Sequence, residues 1–263
     1  MNFYMDQIEV IIPTSIAPWH PSTKIIEETV ASVQQLFPEK VHPKIYCDWP
    51  PDWSSKEERE GYDSYCHQLE RLDIGQVIRA ASWLGLPGII KMAIERLDAP
   101  LVLNFQHDWV LLGPERVRFG ELIQAMLCPN GHPEIHIVRF HKRNLPQRTI
   151  SVDRRYSECT QFPIPLIRTD GWGDSPHIAT REHYLTRVLP VLSLDHGADG
   201  RYGMEGPVWR SYQRDIKERG FEAAQEEWGS YLYGRFGDGP YIRHTGREAT
   251  RWRRKKGVQP KKK

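Results

Sequence analysis

Cysteine is sparse, long apolar runs are missing, and the glycine-rich signatures of several large enzyme classes do not occur. The four cysteines of this 263-residue chain, Cys47, Cys66, Cys128 and Cys159, are far apart in sequence. None forms a C-x-x-C pair, so a structural zinc or dithiol redox motif lacks its ligand spacing and free thiols are the default. No stretch approaches the ~20 apolar residues needed to cross a bilayer, and the opening "MNFYMDQIEVIIPTS" has neither the basic segment nor the apolar stretch of a signal peptide. An intracellular, cytoplasmic chain without a membrane partner is therefore expected. G-x-x-x-x-G-K-[ST], G-x-G-x-x-G and G-x-S-x-G are all absent, which removes the mechanical parts of P-loop, dinucleotide-binding and serine-hydrolase chemistry. What is present is 39% hydrophobic and 11% aromatic content, enough to bury a core as one large domain or two small ones.

Net charge is +2, but residues 251–263, "RWRRKKGVQPKKK", hold eight Lys or Arg and no acid. Taking those eight away leaves −6 on the other 250 residues. A block of like charge with Gly and Pro has little to bury, so it reads either as a basic tail that meets a polyanion such as nucleic acid or as a solvated end. One domain over residues 1–250 with this tail is the simplest organisation.

Along the chain, "QIEVIIPTS" reads as an apolar strand, "KIIEETVASVQQLF" as an amphipathic helix and "HPKIYCDW" as a second strand. Residues 50–75 are polar and read as a helical or loop insertion. A Gly-Leu-Pro-Gly break then precedes a helix, "IIKMAIERL", that leads into the strand "APLVLNF". This order predicts an α/β fold with a mostly parallel central sheet flanked by helices, whose ligands bind beyond the carboxyl ends of the strands. Further on, "RVRFGELIQAML" is expected to be helical and "EIHIVRFHK" a half-exposed strand. Two more helices follow, "TREHYLTRVLPVL" and "EGPVWRSYQRDIKERG", and "YLYGRFGDGPYIRHTG" reads as a strand pair.

The strand ends carry the chemistry-bearing side chains. In "LVLNFQHDW" an apolar run ends at Gln106, His107 and Asp108. A carboxylate there suits a hard divalent cation that completes its shell with water and phosphate oxygens, and it suits a turn cap equally. Glu205 stands at a helix start, where it favours the helix dipole or serves as a general base. His244 in "PYIRHTG" ends a strand as a metal ligand or a structural imidazole. His132, His136 and His141 alternate onto different faces, which favours an ordinary strand over zinc.

Taken in order, these features resemble the inverting glycosyltransferases of the GT-A fold over roughly residues 8–246. "VIIPTS" is similar to their first strand, Asp48 in "IYCDW" to their base-contacting Asp, "NFQHDW" to their Asp-x-Asp metal motif, and Glu205 to their acid at a helix start. Gln106 stands where the first Asp of the metal motif would be, and Gly206 where a second acid would follow Glu205. The resemblance implies a nucleotide-diphosphate sugar, most simply a UDP-sugar, held by Pro13, Thr14, Asp48, Gln106 and His107. It implies Mn²⁺ or Mg²⁺ on Asp108 and His244, and Glu205 as the base. "GWGDSPHIATREHYL" would be the acceptor side, with Trp172, Asp174 and Trp209 facing the acceptor; Asp174 and Asp199 are the next carboxylates able to act as base. The basic tail with Trp252, "VRFHKRNLPQR" and "VDRRY" point to a DNA acceptor, and small transferases of this type glycosylate hydroxymethylated pyrimidines. The alternatives are a glycan or protein acceptor, a non-catalytic nucleic-acid-binding protein on the same fold, and a metal-dependent phosphoesterase.

Overall fold

Strand β1 (Ile8–Thr14) feeds two cores at once. Val10 and Ile12 enter a cluster with Ile26 and Val33 of helix α1 (Lys24–Gln34) and with Tyr62, Tyr65 and Leu69 of α2 (Lys56–Leu72). Ile11 enters a second cluster with Ile89, Ile90, Ala93 and Ile94 of α3 (Gly85–Glu95). A strand covered on both faces needs no polar side, which is why Val10–Pro13, past Glu9, is a continuous apolar run rather than an alternation. The computed structural model describes residues 5–127, 135–144, 156–192 and 203–246.

The remaining strands are β2 (Lys44–Cys47), β3 (Gln76–Arg79), β4 (Leu101–Asn104), β5 (Trp109–Leu111), β6 (Ile137–Arg139), β7 (Tyr156–Cys159), β8 (Leu166–Thr169), β9 (His177–Thr180), β10 (Ser230–Tyr233) and β11 (Ile242–His244). Nine of the described strands form one sheet in the order β3-β2-β1-β4-β9-β6-β10-β8-β7. Its pairings run β8 and β9 opposite to all the others, so the sheet is mostly parallel in direction. β1 pairs in parallel with β2 on one side, Ile12 opposite Ile45, and with β4 on the other, Val10 opposite Leu103. The chain steps outward from β1 to β2 and β3, then returns through α3 to β4 on the far side of β1. That reversal opens a crevice beyond the carboxyl ends of β1 and β4.

Helix α4 (Phe119–Leu127) joins the core of α1 and α2 through Phe119, Leu122, Ile123 and Met126. On the other face, α6 (Glu205–Arg219) and α7 (Phe221–Trp228) join α3 through Val208, Tyr212, Ala224 and Trp228. Helices therefore cover both faces of the sheet. No helix among the described residues is long and apolar enough to cross a membrane.

Several sequence expectations change in detail. Gly85-Leu86-Pro87-Gly88 is the first turn of α3 rather than a break before it, because a proline there lacks an N–H that would be unpartnered anyway. Of the two readings of residues 50–75, the helical one holds, as α2. β6 is wholly buried rather than half-exposed, since β9 and β10 flank it in the sheet. β10 and β11 do not pair with each other: Gly234 and Gly237, at φ of 120° and 92°, turn the chain away, and β11 pairs with β5 in a separate two-stranded sheet. The helix expected over 180–192 begins as α5 (Arg181–His183) and continues as a wider turn through Val188 and a tighter one to Val191.

Candidate active site

Pro13, Thr14, Asp48, Gln106 and His107, all expected on the donor side, line one crevice together with Ser15, Leu86 and Ile89. Thr14 is fixed by α2, its hydroxyl 3.2 Å from the Tyr65 hydroxyl, and its carbonyl accepts the Asp48 N–H at 2.9 Å. Asp48 is buried and has a structural role. Oδ1 accepts from the N–H groups of Trp49 and Leu84 at 2.8 Å, and Oδ2 accepts from Gly85 at 2.9 Å. Leu84, the residue at the cap of α3, supplies no side-chain cap of its own. A carboxylate from β2 therefore neutralises that helix end across space and holds α3 against the crevice.

Asp108 and His244 lie 136 positions apart in sequence and meet here. β11 lies antiparallel to β5 with His244 opposite Trp109, and Thr245 donates twice to the Asp108 carbonyl, from N–H at 2.8 Å and from Oγ1 at 3.0 Å. These bonds bring His244 Nε2 to 3.2 Å from Asp108 Oδ2. Gly246 completes the corner, since a Cβ there would fall 2.7 Å from Asp108 Oδ2 and 2.8 Å from Trp19. His107 lies behind the pair, its N–H donating to the Pro13 carbonyl at 3.3 Å and its own carbonyl accepting the Thr29 hydroxyl at 2.9 Å. Burial pushes the His107 imidazole below its usual pKa, and its Nε2 has no hydrogen-bond partner among the described residues.

One carboxylate and one imidazole are a small donor set, and the described residues contain no group of three or more metal-ligating side chains. Such a pair fits a Mn²⁺-like or Mg²⁺-like ion, which keeps most of its shell for water and substrate phosphate oxygens.

The segment expected on the acceptor side is tied to the same strand end. Gln106 Nε2 donates to the Asp174 carbonyl at 3.2 Å. A Cβ on Gly173 would lie 3.1 Å from Glu205 Oε1 and 3.4 Å from Arg139 Nη1, and one on Gly203 would lie 3.7 Å from Asp174 Oδ2. Glu205 and Arg139 thus approach Gly173 closely, and Asp174 lies beside Gly203. Burial raises the Asp174 carboxyl pKa, against its own backbone N–H and the Lys142 charge. Arg139, buried at the end of β6, donates through Nη2 to the Gly171 carbonyl at 3.1 Å. Underneath, His177 donates from Nδ1 to the Ser175 carbonyl at 2.6 Å and accepts from the Tyr184 hydroxyl at Nε2, also at 2.6 Å. Asn104, the last residue of β4, donates to that same hydroxyl at 3.4 Å. Two sets of bonds therefore link the Gly171–Ser175 turn to β4.

Trp172, expected to face an acceptor, has no exposed surface and packs in the core beside α3 and α6, so its ring offers no stacking face. Trp209, one turn along α6 from Glu205, is half-buried. His136 stacks on His183 with centroids 5.9 Å apart while His141 packs on Tyr241, so the two occupy different surroundings, as alternation predicts. His132, Asp199, Trp252 and most of the basic segments lie outside the described residues. Arg139, Gly173 and Gly246 join the site without having stood out in the sequence. Expecting "EIHIVRFHK" to be half-exposed conceals Arg139, whereas "HTG" after a strand is a signal for a close backbone approach.

No family model matches the chain and no curated protein matches it. Among solved structures, GalNAc-T7 with UDP, GalNAc and Mn²⁺ is 13% identical with a TM-score of 0.53, over 90% of this chain and 43% of that one. The GT-A-like fold is shared. S. aureus TarS 1-349 in complex with UDP-GlcNAc is 13% identical with a TM-score of 0.48, over 90% of this chain and 57% of that one. CMP:2-keto-3-deoxy-manno-octonic acid synthetase complexed with CTP is 10% identical with a TM-score of 0.47, over 95% and 98%. The neighbours thus include glycosyltransferases and nucleotidyltransferases, and this chain spans about half the length of the two glycosyltransferase structures. At these identities the likeness is one of fold.

Proposed function

We propose that the chain is an inverting glycosyltransferase that moves a sugar from a nucleotide-diphosphate sugar, a UDP-sugar in the first instance, to an acceptor hydroxyl. The observation that carries this reading is the meeting of Asp108 and His244 at 3.2 Å next to Gln106 and His107, which line the strand-end crevice, while Gln106 Nε2 donates to the Asp174 carbonyl and Glu205 reaches the adjoining Gly173. The nucleotide would lie along Pro13, Thr14 and Asp48, whose carboxylate is fixed by three backbone N–H groups. Asp108 and His244 would hold a divalent cation, which when bound offsets negative charge on the departing diphosphate. Glu205 takes the proton from the acceptor hydroxyl as its oxygen attacks the anomeric carbon. The bond from that carbon to the phosphate oxygen breaks on the opposite face, leaving an inverted glycoside, a nucleoside diphosphate and a protonated Glu205. Trp209, half-exposed one turn away, is placed to pack against the acceptor.

The acceptor we propose is a hydroxymethylated pyrimidine in DNA, on the strength of the basic residues 251–263. A glycan hydroxyl and a protein hydroxyl are the arms against which it is screened. The deciding experiment is calorimetric titration of UDP and a panel of UDP-sugars with and without Mn²⁺, on the native chain and on Asp108→Ala. Metal-enhanced binding that Asp108→Ala abolishes is expected, and an equal metal effect in the variant removes Asp108 from this role. Release of pyrophosphate from a nucleoside triphosphate, with no sugar transfer, would assign the fold to nucleotidyl transfer instead.

A further inference from the structure

A departing nucleoside diphosphate carries more negative charge than is offset by one divalent cation already shared with a carboxylate, so a glycosyltransferase built on this site leaves charge for the chain itself to meet. Arg139 and Lys142 both stand near the Gly171–Ser175 turn. Arg139 is buried and committed to the Gly171 carbonyl and the Glu205 side, beneath the floor. Lys142 is exposed, three residues past Arg139, where the chain emerges from β6. Its Nζ lies 5.3 Å from the centre of the Trp109 ring, and that ring meets His244 edge-on with centroids 4.7 Å apart. The ammonium is thus one aromatic ring away from the Asp108–His244 pair. From the other side Asp174 feels the same charge, which works with its own backbone N–H against the effect of burial. Lys142 stands between the wall that would hold the cation and the wall that would hold the acceptor.

We propose that Lys142 binds the diphosphate of the donor and meets the negative charge on the phosphate oxygen as its bond to the anomeric carbon breaks. The electron pair of that bond goes to the oxygen, and the ammonium, kept protonated throughout, neutralises it without a proton transfer. The side chain suits that role because its ammonium sits over the Trp109 ring, and a compact, mobile point charge can follow an oxygen whose charge grows during the reaction. Trp109 has the further role of aiming the lysine, through attraction between the ammonium and the ring face.

This inference rests on the glycosyltransferase reading, and its test separates the two. UDP, UMP and uridine are titrated, with and without Mn²⁺, into the native chain, Lys142→Met and Lys142→Arg. Met keeps an apolar stem, and the position is exposed, so the fold is retained. Lys142→Met is expected to weaken UDP binding about tenfold or more, with the larger loss when Mn²⁺ is left out, and to leave uridine binding unchanged. Lys142→Arg should recover most of the loss. UDP binding by Lys142→Met within about twofold of the native chain, in either condition, overturns the role of Lys142 while leaving the reaction class standing. If the native chain binds none of the three compounds and no other nucleoside diphosphate, the glycosyltransferase reading falls and this inference with it.

Discussion

Glu205 and Asp174 share the ground around Gly173 and Gly203, and their surroundings separate them. Asp174 is held by its backbone to Gln106 and is largely withdrawn from water, which raises its carboxyl pKa. Glu205 is exposed at the first turn of α6. An exposed carboxylate beside the Gly171–Ser175 turn is the better-placed proton acceptor for an incoming hydroxyl. Glu205→Gln keeps the size and removes the basicity, so transfer should fall about 10²–10⁴-fold while donor affinity stays unchanged by titration. Near-native transfer by that variant, with loss in Asp174→Asn, would move the proton to Asp174. Residues at this scale are legible where an apolar run stops abruptly: Asp48, Gln106, His107, Asp108 and His244 all follow or finish strands. Trp172 misleads because a tryptophan between two glycines looks like a surface residue, whereas the turn crosses the top of the core and drops its ring inside.

Among the elements, α2 shows what polarity conceals. Its composition is dominated by charge, yet Tyr62, Tyr65, Cys66 and Leu69 fall at the i, i+3, i+4, i+7 spacing of a buried stripe, and all four are buried. Its start is written in "SKEE": Ser55 Oγ accepts from the Glu58 N–H at 3.1 Å and Glu58 Oε2 accepts from the Ser55 N–H at 2.8 Å, a reciprocal capping box. The helix reaches the site through two hydroxyls, Tyr65 beside Thr14 Oγ1 and Tyr62 donating to the Thr14 carbonyl at 3.3 Å. Ser55→Ala should therefore cost about 1 kcal/mol in chemical denaturation. An unchanged midpoint would show that packing of the tyrosine stripe, and not the cap, sets where α2 begins. The cap of α3 is not legible in the same way, because its acceptor, Asp48, comes from a strand 36 positions earlier. Nor is the partner of β11, since strand pairing depends on where Gly234 and Gly237 send the chain.

For the molecule as a whole, packing between two helical layers leaves imidazoles where charge is unwelcome. Burial lowers the pKa of His20 to about 3, of His177 to about 4 and of His183 to about 3, with neighbouring His or Arg charges acting in the same direction. In the unfolded chain each would titrate near 6.5. Below that pH the unfolded state binds protons that the folded state refuses, so these groups contribute stability fully above about 6.5. That contribution is lost as pH falls toward about 4 and 3, on the order of 1.4 kcal/mol per pH unit for each group. His183 is the clearest case, because both ring nitrogens are buried without a hydrogen-bond partner among the described residues and its ring packs against Trp228, 5.8 Å between centroids. His183→Phe removes two unsatisfied polar atoms and keeps an aromatic ring. It should unfold no earlier than the native chain at about pH 7, and its stability should decline less steeply between about pH 6.5 and 4.5 in denaturant titrations at several pH values. Equal slopes for the two proteins would mean that His183 takes up its proton while folded, and the acid sensitivity would then fall to His20 and His177.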